Sequence, residues 1–359
     1  MSQLRLALVG PLPPPSGGMA NQCRQLARLL GEEGVPVEVV QTNAPYRPAW
    51  AERLKGIRAL FRLIPYKWAL WRAAGRNDVV HVMANSDWSW YLFATPAILL
   101  ARLRRVPVLV NYRGGGAERF FANASPLALA TLRLADALVV PSGFLQAVFR
   151  QFGCEARVIP NIIDLSRFVP RVADTDSATA HIIITRNLEP VYDIAAAIRA
   201  FALLHQQLPL SRMTIAGSGP LLAQLQQLAQ QLGVAEAISF AGRIDNDQMA
   251  ALYQSADVML NPSKVDNMPI SILEAFASGV PVVSTNVGGV PFIAQHEVSA
   301  LLVEPGDDQA MASAMLRVLQ QPKLRRTLCD NGQRQVAHYA WPIVRQQWLD
   351  LYNQLRSQA

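Results

Sequence analysis

The sequence predicts an α/β protein built from two doubly wound, parallel-sheet domains. Three observations carry this reading. Short apolar runs alternate with helical patterns along nearly the whole chain, the texture of parallel sheets covered on both faces. The alternation is broken once, by the polar stretch at 168–181, and then restarts. At 359 residues, 51% of them apolar, the chain is long enough for two cores of ordinary size.

The elements follow in order. Residues 4–10 form an apolar strand that runs into a Pro/Gly loop at 11–18. A helical pattern then runs from about Met19 to Leu30 and is expected to stop at Gly31. Strands follow at 35–40, 79–83, 107–111, 137–140 and 157–159. The run at 107–111 opens into Tyr112-Arg113-Gly114-Gly115-Gly116, and the last two close on Pro141-Ser142 and Pro160-Asn161. The polar stretch is the linker candidate. Beyond it come strands at 181–185, 213–216, 238–240, 258–260, 280–284 and 300–303. Gly217-Ser218-Gly219-Pro220 follows the second of these and Gly242-Arg243 the third. Helices are expected at 193–208, from 220 to Leu232, and at 248–255 and 308–321. The expected division is 1–172 and 173–340, two Rossmann-like domains facing each other across a cleft, with 341–359 as a terminal segment.

Bulk properties narrow the function. The N-terminus runs straight into a strand without a signal-peptide pattern, and no run of 18 apolar residues is present. Cys23, Cys154 and Cys329 are scattered, with neither disulfide nor metal spacing, which suits a reducing, cytoplasmic setting. Residues 1–175 carry 21 Lys/Arg against 11 Asp/Glu, whereas 176–359 carry 12 against 15. Residues 47–76 hold eight basic residues and one acid, interleaved with Trp50, Leu54, Ile57, Leu60, Phe61, Ile64, Trp68 and Trp71. Such a segment suits an anionic membrane surface, here the inner face of the membrane, bound peripherally. The plainer alternative is a surface helix with its apolar side in the core and its basic side in water. No nucleic-acid-binding motif is present.

Residues 261–289 are the most informative segment. Asp266 and Glu274, separated by seven residues, bracket a predicted helix start, with an apolar strand on either side. Met268-Pro269-Ile270-Ser271 is expected to form the first turn, where Pro is tolerated and unpaired amides attract phosphate or sugar oxygens. Glu274, about one turn further in, is placed to reach vicinal hydroxyls, and Asp266 a second set. Gly17-Gly18, between a strand and a helix, either make a tight connection or leave room for a diphosphate to approach the backbone. This is not a Gly-x-Gly-x-x-Gly fingerprint, which counts against a dehydrogenase.

With its acid, seven residues, Glu, then Ala275, Ala277, Gly279, Pro281, Val282, Val283, Gly288 and Gly289, the segment resembles the retaining glycosyltransferases of sequence family 4, which use the two-domain GT-B fold. Pro160-Asn161-Ile162-Ile163-Asp164, Arg167-Phe168, Ala216 to Pro220, Phe240-Ala241-Gly242 and Asn261-Pro262-Ser263 are also in order, so the resemblance covers nearly the whole chain. The segment from Trp341 to Leu355 looks like the helix that crosses back to the first domain.

The resemblance implies an enzyme that moves a sugar from a nucleotide-diphosphate sugar, UDP- or GDP-linked, to a hydroxyl of a lipid-linked or glycan acceptor, with retention, no metal and no cofactor. The donor is expected mainly on the second domain and the acceptor on the basic first domain. Gly17, Gly18, Gly217, Gly219, Arg243, Met268, Pro269, Ile270, Ser271 and Glu274 are the implied nucleotide-sugar ligands. Arg186, Asp266 and Arg113 are the candidate catalytic residues: Arg186 for the diphosphate, Asp266 for orientation of the sugar, Arg113 as a supplementary cation. Three positions depart from the family pattern. Asp266 stands where Glu is usual, the Lys expected a few residues after Arg186 is replaced by Val191 or Tyr192, and Arg113 stands where a His is common. Arg113 as a loop residue paired with Glu118 is the alternative. His81 reads as a core histidine. A nucleotide-sugar epimerase on the same fold, or a non-catalytic sugar-nucleotide-binding protein, are the competing functions.

Overall fold

A computed structural model describes residues 3–14, 17–46, 48–54, 58–170 and 179–358. The chain forms two compact units, Met1–Ile162 with Trp341–Ala359, and Ile163–Ala340. Most of the expected linker, 171–178, lies outside the described residues. The division falls ahead of it. Ile162 packs in a core of the first unit, while Ile163 bridges to Ala340 and packs in the second.

The first unit runs β1 (Leu6–Gly10), α1 (Gly18–Glu32), β2 (Val37–Gln41), α2 (Arg58–Ala74), β3 (Val79–Ala84), α3 (Thr95–Leu103), β4 (Val108–Tyr112), α4 (Ala117–Asn123), α5 (Pro126–Leu132), β5 (Ala137–Val140), α6 (Gly143–Gln151) and β6 (Arg157–Val158). Its strands are parallel in the order β2-β1-β3-β4-β5-β6. Successive strand side chains point to opposite faces, so Leu6 and Leu8 enter one core and Ala7 and Val9 the other. That double burial is why the strands read as largely apolar runs. Helix α1 does not stop at Gly31. It continues to Glu32, and the left-handed turn is made by Gly34 at φ +81°, whose amide bonds to the Gly31 carbonyl.

The second unit runs β7 (His181–Ile184), α7 (Ile194–Gln207), β8 (Arg212–Ala216), α8 (Leu222–Gln231), β9 (Ile238–Gly242), α9 (Asn246–Gln254), β10 (Val258–Asn261), α10 (Ile270–Ala277), β11 (Val282–Thr285), β12 (Ala300–Val303), α11 (Asp308–Gln320) and α12 (Pro322–Ala337). Its parallel order is β12-β11-β10-β7-β8-β9. Helix α12 was not expected from the sequence. Its buried stripe is narrow, Leu328, Gly332 and Val336 at one residue per turn, between Arg, Gln and Asn.

The last helix, α13 (Trp341–Ser357), belongs to the first unit. Val344, Trp348, Leu351, Tyr352 and Leu355 pack into the same core as Leu6 and Leu8. The Tyr352 hydroxyl lies 2.8 Å from His81 Nδ1, and Asn111 Nδ2 donates to His81 Nε2 at 3.0 Å. With both ring nitrogens engaged and complete burial, which holds its pKa well below the usual value, His81 is a neutral core residue as expected. Among the described residues no helix is long and apolar enough to cross a membrane.

Each sheet reverses its strand order once, between β1 and β3 in the first unit and between β7 and β10 in the second. Loops leaving the carboxyl ends of two such strands diverge and open a crevice. Gly17 and Gly18 follow β1, Arg186 follows β7, and residues 262–267 follow β10.

Candidate active site

The second unit brings its predicted residues together at that reversal. Arg186 leaves β7 and turns across to the loop after β10. Its Nε donates to Asn261 Oδ1 at 3.0 Å, a terminal nitrogen is paired with the Asp266 carboxylate, and the guanidinium lies 5.2 Å from the centre of the Tyr192 ring. The cation expected on the diphosphate and the acid expected on the sugar therefore form one ion pair, with side chains only 13% and 12% exposed. Burial pushes the Asp266 pKa up. Arg186, the Asn267 amide and the Ser263 hydroxyl pull it down without cancelling the rise.

The backbone under this pair leaves no room for side chains. Gly288 has φ +51°, and a Cβ there would sit 2.2 Å from the Asp266 carbonyl oxygen, while the Gly289 amide donates to that same oxygen at 2.8 Å. A Cβ on Gly217 would lie 1.9 Å from the Arg186 carbonyl oxygen, and one on Gly219 2.3 Å from that of Leu188. Both glycines, read from sequence as ligand contacts, thus let the loop after β8 lie flush against the Arg186 loop.

Glu274 projects from α10. Oε2 accepts from the Tyr253 hydroxyl at 2.9 Å, and that hydroxyl is also 2.8 Å from Thr185 Oγ1 and 3.1 Å from the Ser271 carbonyl oxygen. Burial raises the Glu274 pKa to about 7, against the lowering effects of Tyr253, Arg186 and Arg167. The helix begins at Ile270, two residues later than the expected first turn implies. Pro269 is its cap, at ψ 111°, and Met268 precedes it as a core side chain. Ser271, in the first turn, has a buried hydroxyl with no hydrogen-bond partner among the described residues.

Within the second unit Arg243 does not join this group, and the other candidates belong to the first unit. Arg243 is exposed after β9, at the edge of the sheet and two strands from β7. Gly17 caps α1 in an extended conformation, with open space where a Cβ would stand, and Gly18 begins the helix. Arg113 belongs to the first unit and bonds to Asn161 Oδ1 rather than Glu118. Burial lowers its pKa to about 10, against the raising effects of Cys23 and Tyr352. Sequence reasoning missed Thr185, Tyr253 and Lys264, and named Tyr192 only as standing where a Lys is expected. Lys264 had a signal, because it directly follows the Asn261-Pro262-Ser263 motif. Tyr253 had none, since it is an unmarked helix residue.

Comparison with known proteins identifies the family and the fold. Residues 170–335 match the family model described as Glycosyl transferases group 1, and residues 16–167 match Glycosyltransferase Family 4. This chain belongs to the group 1, family 4 glycosyltransferases. The glycosyltransferase is 26% identical over 393 residues to a D-inositol 3-phosphate glycosyltransferase of Salinispora arenicola, covering 94% of this chain and 87% of that one. Its fold is similar to that of sucrose-phosphate synthase from Thermosynechococcus elongatus, with TM-score 0.78 and 22% identity over 99% and 100% of the two chains. It is also similar to Anabaena HepE in complex with UDP-glucose, with TM-score 0.77 and 17% identity over 97% and 99%. These likenesses run through both units of the glycosyltransferase and bear out the GT-B fold.

Proposed function

We propose that the enzyme transfers a sugar from a UDP- or GDP-linked donor to a hydroxyl of a lipid-linked or glycan acceptor, with retention at the anomeric carbon and without a metal. The observation that carries this reading is the Arg186–Asp266 pair at the reversal point of the second sheet, with Glu274 of α10 near enough to feel the charge of Arg186. Arg186 faces the departing diphosphate, the first-turn amides and the Ser271 hydroxyl meet its oxygens, and Glu274 takes donor hydroxyls. Asp266 orients the sugar while it holds Arg186. The bond from the anomeric carbon to the phosphate oxygen breaks and its electron pair leaves with the diphosphate. The acceptor oxygen bonds to the same face of that carbon, and its proton passes to the departing phosphate. No carboxylate here acts as the nucleophile of a glycosidase.

The acceptor is assigned to the basic first unit. In α2 the buried residues Tyr66, Leu70, Ala73 and Ala74 form one face, yet Leu60, Ile64, Trp68 and Trp71 are exposed on another. The helix therefore has a second apolar face, not a purely basic one. Arg72 stacks over Trp68 and Arg104 over Trp71, each at 4.4 Å from the ring centre. Aromatic and basic groups interleaved in this way suit an anionic lipid surface on the cytoplasmic side.

The test is a donor screen. HepE binds UDP-glucose on the same fold, so UDP-glucose is the first donor to try. Release of nucleoside diphosphate that depends on an acceptor supports the reading, and an isomerised donor points to an epimerase. Glu274→Ala should abolish transfer while the protein stays folded, and full turnover by that variant rules the assignment out.

A further inference from the structure

Between Arg186 and Arg199 the sequence contains no Lys or Arg. Arg186 is itself matched by Asp266, so a second positive charge for a diphosphate has to come from another segment. The loop after β10 brings one. The Lys264 amide donates to the Val191 carbonyl oxygen at 2.8 Å, which docks this loop onto the turn at 190–192, whose Tyr192 ring carries the Arg186 guanidinium. Lys264 Nζ then pairs with Asp193 Oδ2 at 2.9 Å.

Asp193 is held in an unusual way. It has left-handed backbone angles, φ 42° and ψ 47°, rare for a residue with a side chain. It occupies the cap position of α7, where an aspartate ordinarily accepts a bond from the helix amides. Here its side chain makes no capping bond and is turned to Lys264 instead. The two partners differ in surroundings. The Asp193 side chain is 10% exposed, and that of Lys264 is 56% exposed. The lysine reaches Asp193 from the solvent side on a flexible stem, and its own exposure lets water compete for the ammonium.

We propose that Lys264 is the second phosphate-binding cation of the donor site, parked on Asp193 in the ligand-free enzyme and transferred to the donor diphosphate when it binds. The proposal rests on the donor reading above. Arg186 and Lys264 come from adjacent strands, β7 and β10, and flank the Tyr192 turn from two sides. Asp193 keeps the ammonium beside the site while the site is empty. Lysine suits the task because its ammonium can exchange one oxygen partner for another without a fixed fork geometry.

The test compares nucleotides that differ by one phosphate. Binding of UDP, UMP, GDP and GMP to the full-length enzyme is measured by calorimetry for the wild type, Lys264→Met, Lys264→Arg and Asp193→Asn. Lys264→Met should weaken whichever diphosphate the wild type binds by roughly tenfold or more and leave the matching monophosphate within about twofold. Lys264→Arg should restore most of the loss. Asp193→Asn should bind the diphosphate at least as tightly as the wild type, because the parking partner is gone. A purely structural lysine would lower thermal stability in Lys264→Met and Asp193→Asn alike and leave the diphosphate-to-monophosphate ratio unchanged, which overturns the proposal. A wild type that binds neither diphosphate overturns the donor reading, and this one with it.

Discussion

Glu274 is the residue whose chemistry is most exposed to experiment. Its carboxyl has an ordinary value of 4.5 and is raised by burial to about 7. The folded chain therefore holds this proton more tightly than the unfolded chain. The resulting stabilisation is fully present below about pH 4.5 and is lost as pH rises through 7, when the buried group must ionise. Glu274→Gln keeps a neutral side chain throughout. Its thermal stability should gain on the wild type as pH rises from about 5 to about 8, by on the order of 3 kcal/mol. Unfolding curves whose separation does not change over that range would contradict the raised value. Donor turnover should still collapse in the glutamine variant. Glu274 and Asp266 were legible in the sequence because they stand in one short segment beside strand and helix signals. The Arg186–Asp266 pair was not, since its members are 80 residues apart and only the sheet brings them together. Tyr253, which fixes Glu274, was hidden because nothing in its helix marks it.

At the scale of the element, buried strands were the easiest to read. Most are largely apolar runs, as both faces of the sheet demand, broken by a buried polar residue such as Asn111 in β4 or His181 in β7. Helix boundaries were harder, because a glycine such as Gly31 is tolerated inside a helix and only the backbone reveals that Gly34 ends it. Helix α12 shows what a narrow stripe conceals. Gly332 is buried, and a Cβ there would lie 2.6 Å from the Phe276 ring of α10. Gly332→Val should therefore force the two helices apart and destabilise the protein by roughly 1–3 kcal/mol, read as a fall in denaturation midpoint. Helix α2 makes the opposite case, since its apolar residues were visible but not which of them face outward. Ile64 and Trp68 are 65% and 61% exposed. Changing both to serine should leave stability within about 0.5 kcal/mol and reduce co-sedimentation with vesicles containing anionic lipid. Equal pelleting of variant and parent would argue against a lipid-facing role.

At the scale of the whole molecule, the division at Ile162 and Ile163 was hard to see because the conspicuous polar stretch lies further along the chain. The return of α13 to the first unit was readable only through resemblance. Its five buried side chains, Val344, Trp348, Leu351, Tyr352 and Leu355, each contribute about 1.5–3 kcal/mol of burial, a sum comparable to the stability of a typical domain. Removing 341–357 should therefore unfold the first unit while the second, whose cores contain none of these residues, keeps its own protection from hydrogen exchange. Protection lost equally in both units would show that they fold only as one. The same helix also sets a timetable. On the ribosome β1 to β6 emerge first, yet the side chains that close their core emerge only after all of 163–340 has been made. The half synthesised first is the half completed last, and until α13 arrives His81 and the faces of Leu6 and Leu8 await their cover.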